Sequence, residues 1–169
     1  MAKYFNISGE LTQQLLTVGE GFNISKISLI NTQKVSKCKV DLYIEKKLTG
    51  KFYLLKGVEL PIGTTLIYDD INFSNNTNEF SLYIKLTDGA TFTLTGSIDP
   101  IASTEVTGVG TSFLSEVSIG DEIVVSGETR TVSNIASDTS LTVSSAFSNN
   151  GNDTTPDCTP TALIDVIIN

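Results

Sequence analysis

The sequence predicts an all-β protein: an Ig-like or jelly-roll-like β-sandwich with a small β-barrel-like module inserted before its last strand. Three observations carry this reading. Apolar and polar residues alternate with period two along most of the chain. Each alternating run is short and bounded by Gly, Pro, Asn or Asp. The charge is also partitioned. All ten lysines precede residue 90, and the other base is Arg130; residues 90–158 hold nine acids against that one base, net −8, while the remainder has ten of each and nets zero. Such a shift marks a domain boundary.

Taken in order, GELTQQLLTVGEG is the one helix candidate; its apolar spacing is ambiguous and it reads as a strand or extended arm. NISKISLINT begins the alternation with Ile27 and Leu29. In CKVDLYIEK, Cys38, Val40, Leu42 and Ile44 share one face, and Lys39, Asp41, Tyr43 and Glu45 the other. KFYLLKGVELP is the next strand, PIGTT a turn, and TLIYDDINF a further strand ending near Asp69. SNNTNE is a polar loop, and EFSLYIKL aligns Phe80, Leu82, Ile84 and Leu86. The acidic block has a complete pattern of its own. ATFTLTGSI alternates, STEVTGVGTSF is a strand with a glycine turn, and VSIGDEIVVSGETRTVSNIASDTSLTVSSAF gives three short strands. Its size suits a barrel of about five short strands.

TALIDVIIN closes the chain, with Ile164, Val166 and Ile168 on one face and Asp165 and Ile167 on the other. An unpaired apolar strand is an aggregation hazard, so it belongs inside a sheet. The expected neighbour is EFSLYIKL, the pair forming a hairpin across Thr87-Asp88-Gly89 into which the acidic block is inserted. The expected domains are therefore residues 1–89 plus 159–169 as the sandwich, and 90–158 as the inserted module. The alternative is two domains in tandem, with the last strand in the second.

The composition excludes much chemistry. The chain has no His and two cysteines, Cys38 and Cys158, 120 residues apart. His-dependent nucleophilic triads, zincin motifs and closed structural zinc sites are ruled out. A net charge of −8 argues against nucleic acid and against an anionic membrane surface. No segment has a signal-peptide core or the ~18 apolar residues of a membrane span, so folding in a cytoplasm is expected. Five Asn-x-Ser/Thr sequons, at Asn6, Asn23, Asn72, Asn75 and Asn152, are what chance gives in a chain so rich in these residues.

No catalytic, cofactor-binding or metal-ligating residues are expected. Gly108-Val109-Gly110 lacks the third glycine and following helix of a phosphate loop, and reads as a tight turn or bulge. Asp121 is expected to cap a turn before the strand EIVV. Asp69, Asp70, Asn72, Asn75, Asn76 and Glu79 are a set of oxygen donors, but their spacing is not that of an EF-hand, and a solvated loop is expected. Cys38 is expected in the core, and the reduced state of both thiols is favoured in a cytoplasm over a bridge. Tyr43, Tyr53, Tyr68 and Tyr83 are placed to dot one face of the sandwich, the chemistry of subunit contacts or of sugar recognition.

The run SLINT…VDLYIEKK…FYLLKGVELPIGTTLIYDD…FSLYIKL…IDVIIN resembles small β-sandwich proteins of tailed-phage virions. VTGVGTSFLSEVSIGDEIVVSGETRTVSNIASDTSLTVSSAFS resembles a β-module found in phage structural proteins. The resemblance implies a virion structural protein without cofactors: a capsid decoration, neck or tail accessory subunit. It would act by assembly with other virion proteins and further copies of itself, the sandwich docking and the acidic module projecting. A receptor- or glycan-binding adhesive module, bound to a host surface glycan, is the alternative. No catalytic residue carries over.

Overall fold

The computed structural model describes residues 1–76, 79–149 and 151–169. It is 54% strand and 2% helix, which makes the protein all-β. In chain order the elements are β1 (Lys3–Ser8), β2 (Thr12–Leu16), β3 (Asn23–Ile24), β4 (Ile27–Asn31), β5 (Cys38–Lys46), β6 (Gly50–Leu60), β7 (Thr65–Tyr68), β8 (Phe73–Ser74) and β9 (Phe80–Thr87). There follow β10 (Phe92–Thr93), β11 (Ser97–Asp99), β12 (Glu105–Val109), α1 (Phe113–Glu116), β13 (Glu122–Val125), β14 (Glu128–Ser137), β15 (Ser140–Val143), β16 (Asp157–Thr159) and β17 (Leu163–Ile168). The ambiguous GELTQQLLTVGEG segment supplies β2. Two compact units emerge: residues 1–33, 37–88 and 162–169, and residues 34–36 with 89–161.

The first unit is a sandwich of two four-stranded antiparallel sheets, β1-β17-β4-β7 and β2-β9-β5-β6, beside a β3-β8 ribbon. Numbering its eight long strands along the chain, the sheets read 1-8-3-6 and 2-7-4-5. Of the two sandwich types expected, this strand order is that of a jelly roll. The terminal strand does not pair with β9. Val166 faces Leu29 of β4 on one side and Phe5 of β1 on the other, while β9 lies between β2 and β5. Residues 88–162 therefore interrupt a crossover between sheets and not a hairpin. A period of two says which face a residue takes, but not which strand lies alongside.

Local chemistry sets the crossovers. At Pro61-Ile62-Gly63-Thr64 the chain changes sheet: Thr64 N–H and its hydroxyl both donate to Pro61 O, at 3.2 and 2.8 Å, and Gly63 takes φ +65°. That backbone conformation is open to glycine at little cost. The Asn of SLINT, Asn31, is buried; its amide donates to Leu60 O at 2.9 Å, and its oxygen accepts from Gln33 N–H at 3.0 Å. Between the sheets Leu29, Leu42, Leu82, Ile84, Val166 and Ile168 are fully buried. Each such side chain contributes roughly 1.5–3 kcal/mol on leaving water.

The second unit has a seven-stranded antiparallel sheet, β10-β16-β13-β14-β15-β12-β11, two more strands than expected. The long β14 pairs with β13 through 128–131 and with β15 through 132–137, with two register shifts in the second half. The two end strands β10 and β11 are separated by three residues, so the sheet curls back on itself. Its core is separate from the first: Ile98, Phe113, Ile123, Val125, Leu141 and Cys158 are all buried. Phe113 sits on α1, a single helical turn that the sequence pattern did not announce. Four residues are too few to display a period of 3.6.

Candidate assembly surface

The outer face of sheet β1-β17-β4-β7 is where this structure departs from the usual polar exterior. Strand register lines up Tyr4, Ile167, Ser28 and Ile67 in one row across all four strands. The next row is Asn6, Asp165, Ile30 and Thr65. Tyr4 is 72% exposed and Ile67 50%. Ile30, Leu163 and Ile167 are partly covered. The one carboxylate of these two rows, Asp165, accepts a hydrogen bond from Asn6 Nδ2 at 2.6 Å. An antiparallel sheet with one wet face normally alternates apolar-in, polar-out. Here four of the eight outward positions, Tyr4, Ile30, Ile67 and Ile167, are apolar or aromatic, and exposed apolar area on a sheet face marks an interaction surface. Sequence reasoning placed Ile167 outward but missed Tyr4, Ile30 and Ile67. The available signal was the near-continuous apolar runs ISLI, TLIY and LIDVII in place of strict alternation.

The outer face of the other sheet is built differently. Tyr83, Tyr43 and Tyr53 stand in one cross-strand row on β9, β5 and β6. Tyr43 and Tyr83 stack with ring centroids 5.5 Å apart; Tyr43 and Tyr53 are tilted at 5.4 Å. Lys51 Nζ lies 4.6 Å from the Tyr43 ring centre, and Lys56 Nζ 4.8 Å from that of Tyr53. The phenol oxygen beside Lys51 raises its ammonium above the usual pKa. Tyr43, expected at the surface, is only 3% exposed because these neighbours cover it. Tyr68 does not join the row: it lies on β7 and packs against the sandwich core. Asp41 of the same face accepts from Gly57 N–H at 2.6 Å, where the pairing of β5 and β6 is irregular. Glu59 pairs with Lys37 at 2.6 Å, which holds its carboxyl below the ordinary value.

Of the oxygen donors between Asp69 and Glu79, expected to form a solvated loop, Asn75 is engaged in holding the backbone. Asn75 is fully buried: its oxygen accepts from Gly19 N–H at 3.2 Å and its amide donates to Thr17 O at 2.6 Å, clamping the loop before β3. Thr77 and Asn78 of that polar loop lie outside the described residues. Among the described residues no group of three or more His, Cys, Asp or Glu is placed to hold a metal ion. Among the described residues no helix is long and apolar enough to cross a membrane.

In the second unit the residues that carry the resemblance have structural work. A side chain on Gly108 would collide with that of Thr111, whose hydroxyl donates to Asp138 O at 2.6 Å. The Asp138 carboxylate accepts from Leu114 N–H at 3.0 Å. Asp121 is fully buried; its two oxygens accept from Ser118 N–H and Thr161 N–H, both at 2.8 Å. It caps its turn, as expected, and also ties down the segment leaving the unit. The Glu128 carboxyl is drawn down to about 2, first by Ser148 N–H and its hydroxyl, then by Asn149 N–H and Arg130. In the first unit Glu20 is likewise held at about 2, by Lys3 and then by Thr17. Cys38 and Cys158 are both free and buried. Burial pushes the Cys38 thiol up to about 11, and burial with nearby Asp121 raises that of Cys158 further.

Compared with known proteins, the sequence matches no protein family and no curated protein. Among solved structures it is similar to that of the infectious bursal disease virus Gx strain, at 10% identity over 98% of this chain and 32% of that one, with a TM-score of 0.27. It is similar to the VP2 subviral particle of the same virus at 10% identity over 99% and 41% of the two chains, TM-score 0.28. It is also similar to a serine protease of Aeromonas sobria, at 9% identity over 100% and 26%, TM-score 0.26. The chain spans less than half the length of each of these. Likeness at this level reaches a virus particle and a protease alike, and it carries no argument about function.

Proposed function

We propose that this protein is a structural component of a tailed-phage virion, folded in the host cytoplasm: a capsid decoration, neck or tail accessory subunit that works by assembly and not by catalysis. The observation that carries this reading is the apolar area on the outer face of β1-β17-β4-β7, with Tyr4 and Ile67 exposed and Asp165, hydrogen-bonded to Asn6, the one charged group in its two central rows. The resemblance of the SLINT-to-IDVIIN run to phage sandwich proteins supports it. The partners are other virion proteins, met through this face, and sister subunits. The acidic unit projects and keeps particles apart by charge. An adhesive module for a host glycan is the second reading, resting on Tyr43, Tyr53 and Tyr83. The cover over Tyr43 leaves Tyr53, 44% exposed, as the main open ring, too little for a stacking platform.

The test places charge on the apolar face. Virions assembled with Tyr4→Lys and Ile67→Lys should carry fewer copies of the protein by about tenfold or more, because an interface core does not tolerate unpaired charge. The melting temperature of the free protein should stay near wild type. Full occupancy of the particles would refute the reading.

A further inference from the structure

The lysines are not spread evenly. Lys39, Lys51, Lys56 and Lys85 all stand exposed on the outer face of sheet β2-β9-β5-β6. Lys39 and Lys85 form no ion pair among the described residues. Lys51 and Lys56 are held in place over tyrosine rings, so part of the entropy cost of fixing a lysine in a contact is already met. Two of the face's three acids are engaged, Asp41 by Gly57 and Glu59 by Lys37. The second unit has the opposite character: Lys34 and Arg130 stand against nine acids. Of these, Asp99, Glu105 and Glu122 are exposed and form no ion pair among the described residues.

We propose that the tyrosine–lysine face of one copy binds the acidic unit of a second copy, so that subunits join head to tail. This deepens the assembly reading above, and rests on it for its setting in a particle. The argument is charge complementarity. A chain of net charge −8 repels its own copies over most of its surface. This face is where cations gather, and every sister subunit brings an acidic surface to it. Tyr53, with the partly exposed Tyr83 beside it, supplies aromatic area at the centre, the kind that anchors interfaces. Because the two contacting patches differ, the contact is heterologous, and repeating it yields a ring or an open row. Nucleic acid is a poor occupant, since the whole chain repels it.

The test uses full-length protein and sedimentation velocity at about 0.05 M and about 0.5 M salt, where screening lengths differ severalfold. The wild type should exceed its 18.1 kDa monomer mass at low salt and return to it at high salt. The pair Lys51→Glu with Lys56→Glu should weaken association by about tenfold or more, and so should Glu105→Lys with Glu122→Lys, through like-charge opposition. Mixing the two variants should restore complexes, with unchanged melting curves showing that both fold. A monomer at both salts, association that resists salt, or a mixture that fails to recover would each overturn the proposal. A monomer that still binds virions through its apolar face would sink this inference alone; salt-labile oligomers that never bind virions would sink the function reading alone.

Discussion

The two outer faces of the sandwich are made from the same kind of strand and differ in what alternates. On β5, Val40, Leu42 and Ile44 point inward, and the outward positions are Lys39, Asp41, Tyr43 and Glu45. On β17, Ile164, Val166 and Ile168 point inward, and the outward positions are Leu163, Asp165 and Ile167. The first pattern is that of a sheet meeting water or a charged partner. The second is that of a sheet meant to be covered. A fold needs one apolar face per sheet; a second one is surplus to folding, and so speaks for function.

That contrast can be broken at single positions. The largest effect is expected inside β17, where Val166→Asp would put an unpaired charge between the sheets. It should cost roughly 4 kcal/mol or more and abolish cooperative melting of the first unit. Tyr43→Ala, removing a covered ring with two aromatic neighbours, should cost roughly 3 kcal/mol, while Tyr53→Ala on the same row should stay within about 1 kcal/mol. Chemical denaturation of both variants checks this ordering. Ile167→Thr, facing outward next to Val166, should change stability by about 1 kcal/mol or less and still reduce particle occupancy.

The smallest effect concerns pH. Glu20 and Glu128 have folded-state values near 2 against an ordinary 4.5. Depressed carboxyl values stabilise the fold above about pH 4.5, and that contribution is lost as pH falls toward 2. Both carboxyls lie at the surface, partly covered by their partners, so solvent screening keeps the effect modest. Melting temperatures between pH 5 and about 2.5 should decline less steeply in Glu128→Gln than in wild type. Equal slopes would show that the hydrogen bonds to Ser148 and Asn149 do not hold in solution.

Much of this was legible in the sequence because period-two alternation is local. It named most of the longer strands, though not β1 or β16, the inward positions of β5 and β9, and the separate pattern of the acidic segment. The neighbour of β17 was not legible, since a jelly roll pairs strands far apart in sequence and a hairpin is only the nearest guess. The short α1 was hidden because Phe113, its buried residue, looks like the end of a strand. The burial of Tyr43 depended on two tyrosines and a lysine converging from β6 and β9. Asn75 read as a loop donor, although it replaces backbone partners for Thr17 and Gly19. The apolar outer face was written in the runs ISLI, TLIY and LIDVII, but it becomes a surface only once β4, β7 and β17 lie in one sheet.

The most direct test of that surface is thiol labelling of Ile67→Cys, since both native cysteines are buried. Maleimide should modify position 67 readily in the free protein and at least about tenfold more slowly in assembled virions, where a partner covers the face. Equal labelling rates in the free and assembled states would contradict the account.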